Sequence, residues 1–270
     1  YCHEFVVNHE SGESRYLETE NGNYCAHEDI ALFKKDEKNV NEELMEYKEV
    51  EAKRGLSMED GVKLHNLPLW QQIKDVMFVD DKGRFILVVI RGDYDVNEVK
   101  WTNALIKQSL WHDEEDEIRK KIGSEPGFIS PVGIKDNLAD GVELIIVGDD
   151  SLRTMKNAYG GANKKDLDAL NMNIDRDYRL DLEGDIALAD VGYTSIGGEK
   201  LIEGKGIEVG NIFQLGYHYT KKMKNAVFAD AHGGMKEYYM GCYGIGIGRT
   251  MQTIVEIQAD DRGIIWPEEI

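Results

Sequence analysis

IKDVMFVDDKGRFILVVIRGD, running from Ile73 to Asp93, holds two apolar runs, Val76–Val79 and Phe85–Ile90, joined by Asp80-Asp81-Lys82-Gly83. Aspartates and a glycine between two β-prone runs predict a hairpin. The residues that follow change period. NEVKWTNALIKQSL (97–110) has helical spacing, with Val99, Ala104, Leu105 and Ile106 expected to face inward. DEEDEIRKKIG (113–123) is acidic at its start and basic at its end, an order that suits the dipole of a helix closed by Gly123. GVELIIVGDDSL (141–152) reads as a buried strand ending in a loop, and DIALADVG (185–192) as another short segment. On the N-terminal side, the charged stretch from Val40 to Gly61 reads as helical, with no strong apolar face before VKLHNLPLWQQI. Helices and strands therefore alternate from about Lys48 to Leu188, the pattern of a compact α/β or α+β domain.

The flanks read differently. YCHEFVVNHESGESRYLET (1–19) fits a strand, a turn at Ser11-Gly12-Glu13 and a second strand. Because its first residues already read as a core strand, a segment preceding Tyr1 is expected. IEVGNIFQLGYHYTKKM (207–223) reads as a strand leading into a helix. EYYMGCYGIGIGRTMQTIVEIQ (237–258) reads as a strand, a glycine-rich turn and a long apolar helix. Here Gly244, Gly246 and Gly248 alternate before Arg249, without the lysine of a P-loop. On an alternating strand three such glycines clear one face for a flat group. Arg249 then stands at the edge of that platform, its planar fork suited to phosphate oxygens. The plainer reading of the same glycines is close packing ahead of a helix.

Composition narrows the possibilities. The 270 residues are 41% hydrophobic and 9% aromatic, ordinary for a globular chain of one or two domains. No run of about 18 apolar residues suggests a membrane span, and no signal peptide is visible. Three cysteines without a C-x-x-C pair argue against a disulfide framework or structural zinc, and a reducing cytoplasm is expected. The seven histidines lack H-x-x-x-H or H-E-x-x-H spacing, so no tightly bound metal is expected. A formal charge of −19 opposes general nucleic-acid binding and requires any RNA contact to be local. The Arg91-Gly92-Asp93 tripeptide reads as a turn after a strand, and DEEDE as a solvated helix start.

GIGIGR followed by an apolar helix and then GIIWP resembles motif 3 of class II aminoacyl-tRNA synthetases. IEVGNIFQLG and MGCYGIGIGR together resemble the bacterial-type prolyl-tRNA synthetases, as does CHEF with SGE seven residues after Glu4. IKDVMFV, VIRGDYDVNEVK, YGGAN and NIDRD are similar to the inserted editing domain of that family. The resemblance spans nearly the whole chain. It implies an α+β architecture in which a partial class II antiparallel catalytic sheet is interrupted by an α/β editing insert of the deacylase kind. The implied division is residues 1–48 and 189–270 for the catalytic parts, containing motif 3 in the second, and 49–188 for the insert.

The same resemblance implies roles. Arg249 with Gly244, Gly246 and Gly248 would bind ATP, accompanied by Mg²⁺ in the full enzyme. Cys242, Gly241, Asn211, His3 and Phe5 would line a tight proline pocket, Asn211 standing where the family usually has His. The partners implied are tRNA(Pro), proline and, in the full-length enzyme, a second subunit of a homodimer, with no membrane. In the editing half, Lys74 matches the family's functional lysine. Asp168 stands where His is common, Asn157 where Asp is usual, and Ser130 in place of a glycine. Aspartate cannot copy an imidazole near neutral pH, so clearance of alanine is expected to be weakened or redirected. Two rivals remain beside a proline–tRNA ligase fragment: an aminoacyl-tRNA deacylase of altered specificity acting through 49–188, and a non-catalytic paralogue that binds a nucleotide or a protein.

Overall fold

The computed structural model describes residues 2–102, 110–112 and 115–269. Contacts divide the chain into two compact units, residues 28–201 and residues 1–27 with 202–270.

The 28–201 unit is built around the hairpin. Strands β5 (Ile73–Asp80) and β6 (Phe85–Arg91) pair antiparallel, with Val76 opposite Val88 and Phe78 opposite Ile86. The turn closes because the Asp80 carboxylate accepts the backbone N–H groups of Lys82 and Arg84, both at 2.9 Å, and Gly83 supplies a φ of +76°. β6 is buried along its whole length. Phe85, Leu87 and Val89 enter one core with Ile73, Met77 and Ile146, while Ile86 and Val88 enter another with Phe78, Trp101 and Ile186. A strand apolar on both faces belongs at a sheet centre, and there it lies: β8 (Leu144–Asp149) pairs parallel to it and β11 (Leu182–Gly184) parallel to β8. β7 (Leu110–His112) completes the order β11-β8-β6-β5-β7. A second sheet, β4-β10-β9, joins Lys48–Glu51, Leu167–Met172 and Ala158–Gly161.

Several expectations change here. The 40–61 stretch is not helical. Ser57 and Asp60 form a reciprocal capping box that starts helix α1 only at Met58, and α1 ends at His65. Residues before it are held as an extended loop and as β4, because the Asn157 side chain takes up the backbone of Glu43 and Met45 while Asn39 ties the start of the stretch to the Lys156 backbone. In α2 (Glu98–Trp101) it is Trp101 that is buried, while Val99 is 39% exposed. Ala104, Leu105 and Ile106 lie outside the described residues. The acidic-to-basic segment is helical as α3 (Glu115–Glu117) and a wider turn, Ile118–Ile122, closed by Gly123 at φ +68°. DIALADVG makes a single bridge, Val96 to Ala187, and no strand. Arg91-Gly92-Asp93 is, as expected, a turn after a strand: Arg91 ends β6, is 0% exposed and is ion-paired to Asp36 and Asp93.

The other unit is an antiparallel sheet. β1 (Cys2–Asn8), β2 (Ser14–Thr19) and β3 (Cys25–His27) flank the 16-residue β12 (Leu201–Gly216) in the order β1-β12-β2-β3. β15 (Met240–Ile245) pairs with β12 as well, and a small hairpin joins β13 (Val227–Ala229) to β14 (Met235–Glu237). Helix α4 (Ile247–Gln258) follows β15 directly. The helix expected after β12 is a single 3-10 turn, Thr220–Lys222. Among the described residues no helix is long and apolar enough to cross a membrane.

Candidate functional site

A pocket of about 100 Å³ opens in the 28–201 unit, lined by Arg54, Leu56, Met58, Gln72, Ile73, Lys74, Asp75, Gly127, Ile129 and Gly161. The start of β5 gives it Ile73, Lys74 and Asp75. Strand alternation sends Asp75 to the face shared by Ile73 and Met77, whereas Lys74 follows Val76 and Phe78. Lys74 Nζ donates to the Tyr94 carbonyl at 2.8 Å and to Asp95 Oδ1 at 2.7 Å. On the opposite wall Gly161 lets the chain approach closely. A Cβ there would lie 2.2 Å from the Phe128 carbonyl.

Beneath this pocket lies a buried charge cluster. Asp168, 1% exposed, accepts two hydrogen bonds from Arg54 (Nε and Nη2, each 2.7 Å) and meets His65 Nε2 at 2.8 Å. Arg54 also donates to the Gly55 and Gly127 carbonyls and stacks 4.4 Å from the centre of the Phe128 ring. With most of its donors engaged, Arg54 is a pillar of the pocket wall. Tyr159 stands edge-on to His65, its hydroxyl pushed up to about 12 by burial and by the Asp168 charge. The imidazole that Asp168 lacks is thus present beside it, carried by α1.

Asp75 is the opposite case. Its Oδ1 is shielded from solvent and has no hydrogen-bond partner among the described residues. Burial pushes its carboxyl well above the usual carboxylate range.

Of the four editing residues expected from the sequence, only Lys74 lines the pocket. Asp168 reaches it through Arg54. Ser130 is buried in a turn, where its Oγ accepts from Val132 N at 3.3 Å and its own N–H donates to Asn163. Asn157, at φ +55°, has its side chain on the backbone of Met45 and Glu43. These two serve loop geometry, and neither touches the pocket. Arg54, His65 and Asp75 were not anticipated. A charged residue adjoining a flagged lysine was a signal for Asp75. Nothing local marks Arg54 and His65, whose partner is more than a hundred residues away.

Arg249, Gly244, Gly246 and Asn211 do come together, around a pocket of about 300 Å³ that Glu208, Val209, Gly210 and Ile245 complete. The glycines do not clear one strand face, however. Gly244 lies in β15, Gly246 is the N-cap of α4, and Gly248 is already helical with open space beside it. Arg249 sits in the first turn, where a cation opposes the helix dipole, and is held by Glu208 (3.6 Å) and Glu13 (3.4 Å). The five residues expected to form one amino-acid pocket divide between two faces of the sheet. Asn211 pairs with Gly244 and Phe213 with Cys242, so Asn211 and Cys242 share a face. His3 pairs with Ile212, Phe5 with Gly210 and Gln214 with Gly241, which places His3, Phe5 and Gly241 on the other. Cys242 is exposed.

Asp149, Asp150 and Asp185 bring carboxylate oxygens within 4.8 Å of one another, a spacing that suits a cation. Lys35 and Lys100 already pair with them.

Residues 52–171, which include every residue lining the smaller pocket, match the aminoacyl-tRNA editing domain family. Over 269 residues the chain is 35% identical to a proline–tRNA ligase of Bacillus licheniformis, and over 271 residues 36% identical to one of a Sulfurihydrogenibium species. These alignments cover 99% and 100% of the chain and 46% of each relative, so the chain spans about half their length. A solved structure of a protein put forward as a trans-editing enzyme for prolyl tRNA synthetase is 19% identical, with a TM-score of 0.40 over 47% of this chain and 76% of that one. The chain thus resembles, along its whole length, a stretch of the bacterial prolyl-tRNA synthetases, with a match to the aminoacyl-tRNA editing domain at residues 52–171.

Proposed function

We propose that the 28–201 unit hydrolyses the ester of alanine misplaced on tRNA(Pro). The observation that carries this reading is a small pocket of mixed polarity, with Leu56, Met58, Ile73 and Ile129 among its walls and Lys74 at its edge, wholly inside the editing-domain match. A pocket that accepts proline discriminates weakly against a smaller amino acid, so a second, hydrolytic site is what synthetic accuracy requires. Leu56, Met58, Ile73 and Ile129 suit a small aliphatic side chain. Lys74, tied only to a carbonyl and to the 77%-exposed Asp95, is free to turn toward a phosphate of the tRNA end. In the reaction water adds its oxygen to the acyl carbon, the bond to the ribose oxygen breaks, and a proton ends on that oxygen. The pocket contributes placement and charge. The direct test is deacylation of alanyl-tRNA(Pro) beside Lys74→Ala. Loss of one charge-assisted contact, about 1.5–3 kcal/mol, corresponds to a drop of roughly ten- to a hundredfold. Unchanged hydrolysis in the variant would sink the assignment.

The likeness along the whole of this chain adds a second reading, favoured by the pocket at Arg249. In it the other unit forms part of the ATP and proline site of a cytoplasmic, homodimeric ligase, with Mg²⁺ carried by the nucleotide. Binding of ATP would draw Arg249 from Glu13 and Glu208 onto phosphate. ATP affinity that is indifferent to Arg249→Ala would refute it.

A further inference from the structure

The pocket lining carries three charged side chains, and they are not equally compensated. Arg54 is neutralised by buried Asp168, and Lys74 is paired with Asp95. Among the described residues no cation pairs with Asp75, and its Oδ1 is a buried acceptor without a donor. An uncompensated carboxyl on the core face of a strand costs stability, and nothing in the fold of the hairpin requires it. Its neighbours Ile73 and Met77 on that face are apolar.

An aminoacyl ester brings one cation into such a site, the α-ammonium of the amino acid, and one class of anion, the phosphates of the tRNA end. We propose that Asp75 is the residue that receives the α-ammonium of the ester substrate, leaving Lys74 to the phosphate. This rests on the deacylase reading given above. Binding would supply the donor that Oδ1 lacks. It would make the pocket selective for an ester with a free, charged amine, independently of the side chain that the apolar walls accept. Burial raises the pKa of this carboxyl while the pocket is empty, and pairing with the ammonium would draw it back down.

The test compares alanyl-tRNA(Pro) with lactyl-tRNA(Pro), in which a hydroxyl of similar size replaces the ammonium, using the whole chain and its Asp75→Asn variant. The chain is expected to favour the alanyl ester by at least about tenfold in kcat/KM, the difference between a charge-assisted and a neutral hydrogen bond. Asp75→Asn is expected to bring the two esters within about twofold, mainly by raising KM for the alanyl ester. Equal hydrolysis of both esters by the unmodified chain overturns the proposal without recourse to any variant. So does a variant that slows both esters alike and keeps the preference, the behaviour of a proton donor. Hydrolysis of neither ester by the unmodified chain overturns the deacylase reading itself.

Discussion

At the scale of single residues, two aspartates with shielded carboxylate oxygens in one domain show how differently the same side chain is used. Asp168 is satisfied by Arg54 and His65, and removing one partner leaves a charge that water cannot reach. Arg54→Met is therefore expected to destabilise the protein by about 3–5 kcal/mol, with most of the loss recovered when Asp168→Leu is added. Urea denaturation of the two single variants and the double variant checks it. Additive losses would show that the pair is not coupled. Asp75 carries the reverse expectation. Its folded pKa is raised, so the folded state holds its proton more tightly than the unfolded chain does. That contribution is complete below the ordinary carboxylate pKa of about 3.9 and is lost as pH rises through the folded value. Asp75→Asn, which needs no proton, should match the parent at acid pH and exceed it near neutrality by about 1–3 kcal/mol, the cost of an unsatisfied buried polar group. A residue kept at such a cost is the pattern expected where function and stability compete.

Among the elements, the β5–β6 hairpin is where local chemistry and tertiary demand agree. Asp80 closes the turn, and Arg84 Nε returns to it at 2.8 Å. Burial works to raise the Asp80 pKa, but hydrogen bonds from the Arg84 backbone and side chain and the Lys82 backbone outweigh it, and the net shift is downward. Stability from this group is present above the unfolded pKa and disappears as pH falls through the folded one. Asp80→Ala is expected to cost about 1–3 kcal/mol at pH 7, with the gap closing in strong acid. Melting curves across pH measure it, and a gap independent of pH would contradict the role given to the carboxylate. The hairpin, the buried strand β8 and the strand before α4 were legible because each carries its own period and its own turn residues. The 40–57 stretch was not. Its charges mimic a helical surface, while its backbone is held by Asn157, Asn171 and Arg176, more than a hundred residues further along the chain.

For the whole molecule, the contact division assigns residues 28–48 and 189–201 to the same unit as the editing-domain match. The reason is chemical. Asp36 pairs with the fully buried Arg91, Lys35 with Asp185, and Phe33 packs with Tyr94 and Tyr193. A piece comprising residues 28–201 is expected to melt cooperatively and to keep the deacylase activity of the whole chain. One comprising 49–188 should be markedly less stable, because Arg91 loses Asp36. Calorimetry of the two pieces decides it, and equal melting temperatures would mean the added segments are ornamental. The alternation of strand and helix, the hairpin, the likeness to a synthetase with an editing insert, and Lys74 as a residue of interest can be read along the chain. All of these are written in short-range period or in local motifs. It takes the folded chain to show that Asp168 leans on Arg54 and His65, that Ser130 and Asn157 serve loops, that Asp75 stands at a pocket without a partner among the described residues, and that His3, Phe5 and Gly241 face away from Asn211 and Cys242. Those outcomes depend on strand register and on contacts between residues far apart in the chain, and neither leaves a periodic trace along it.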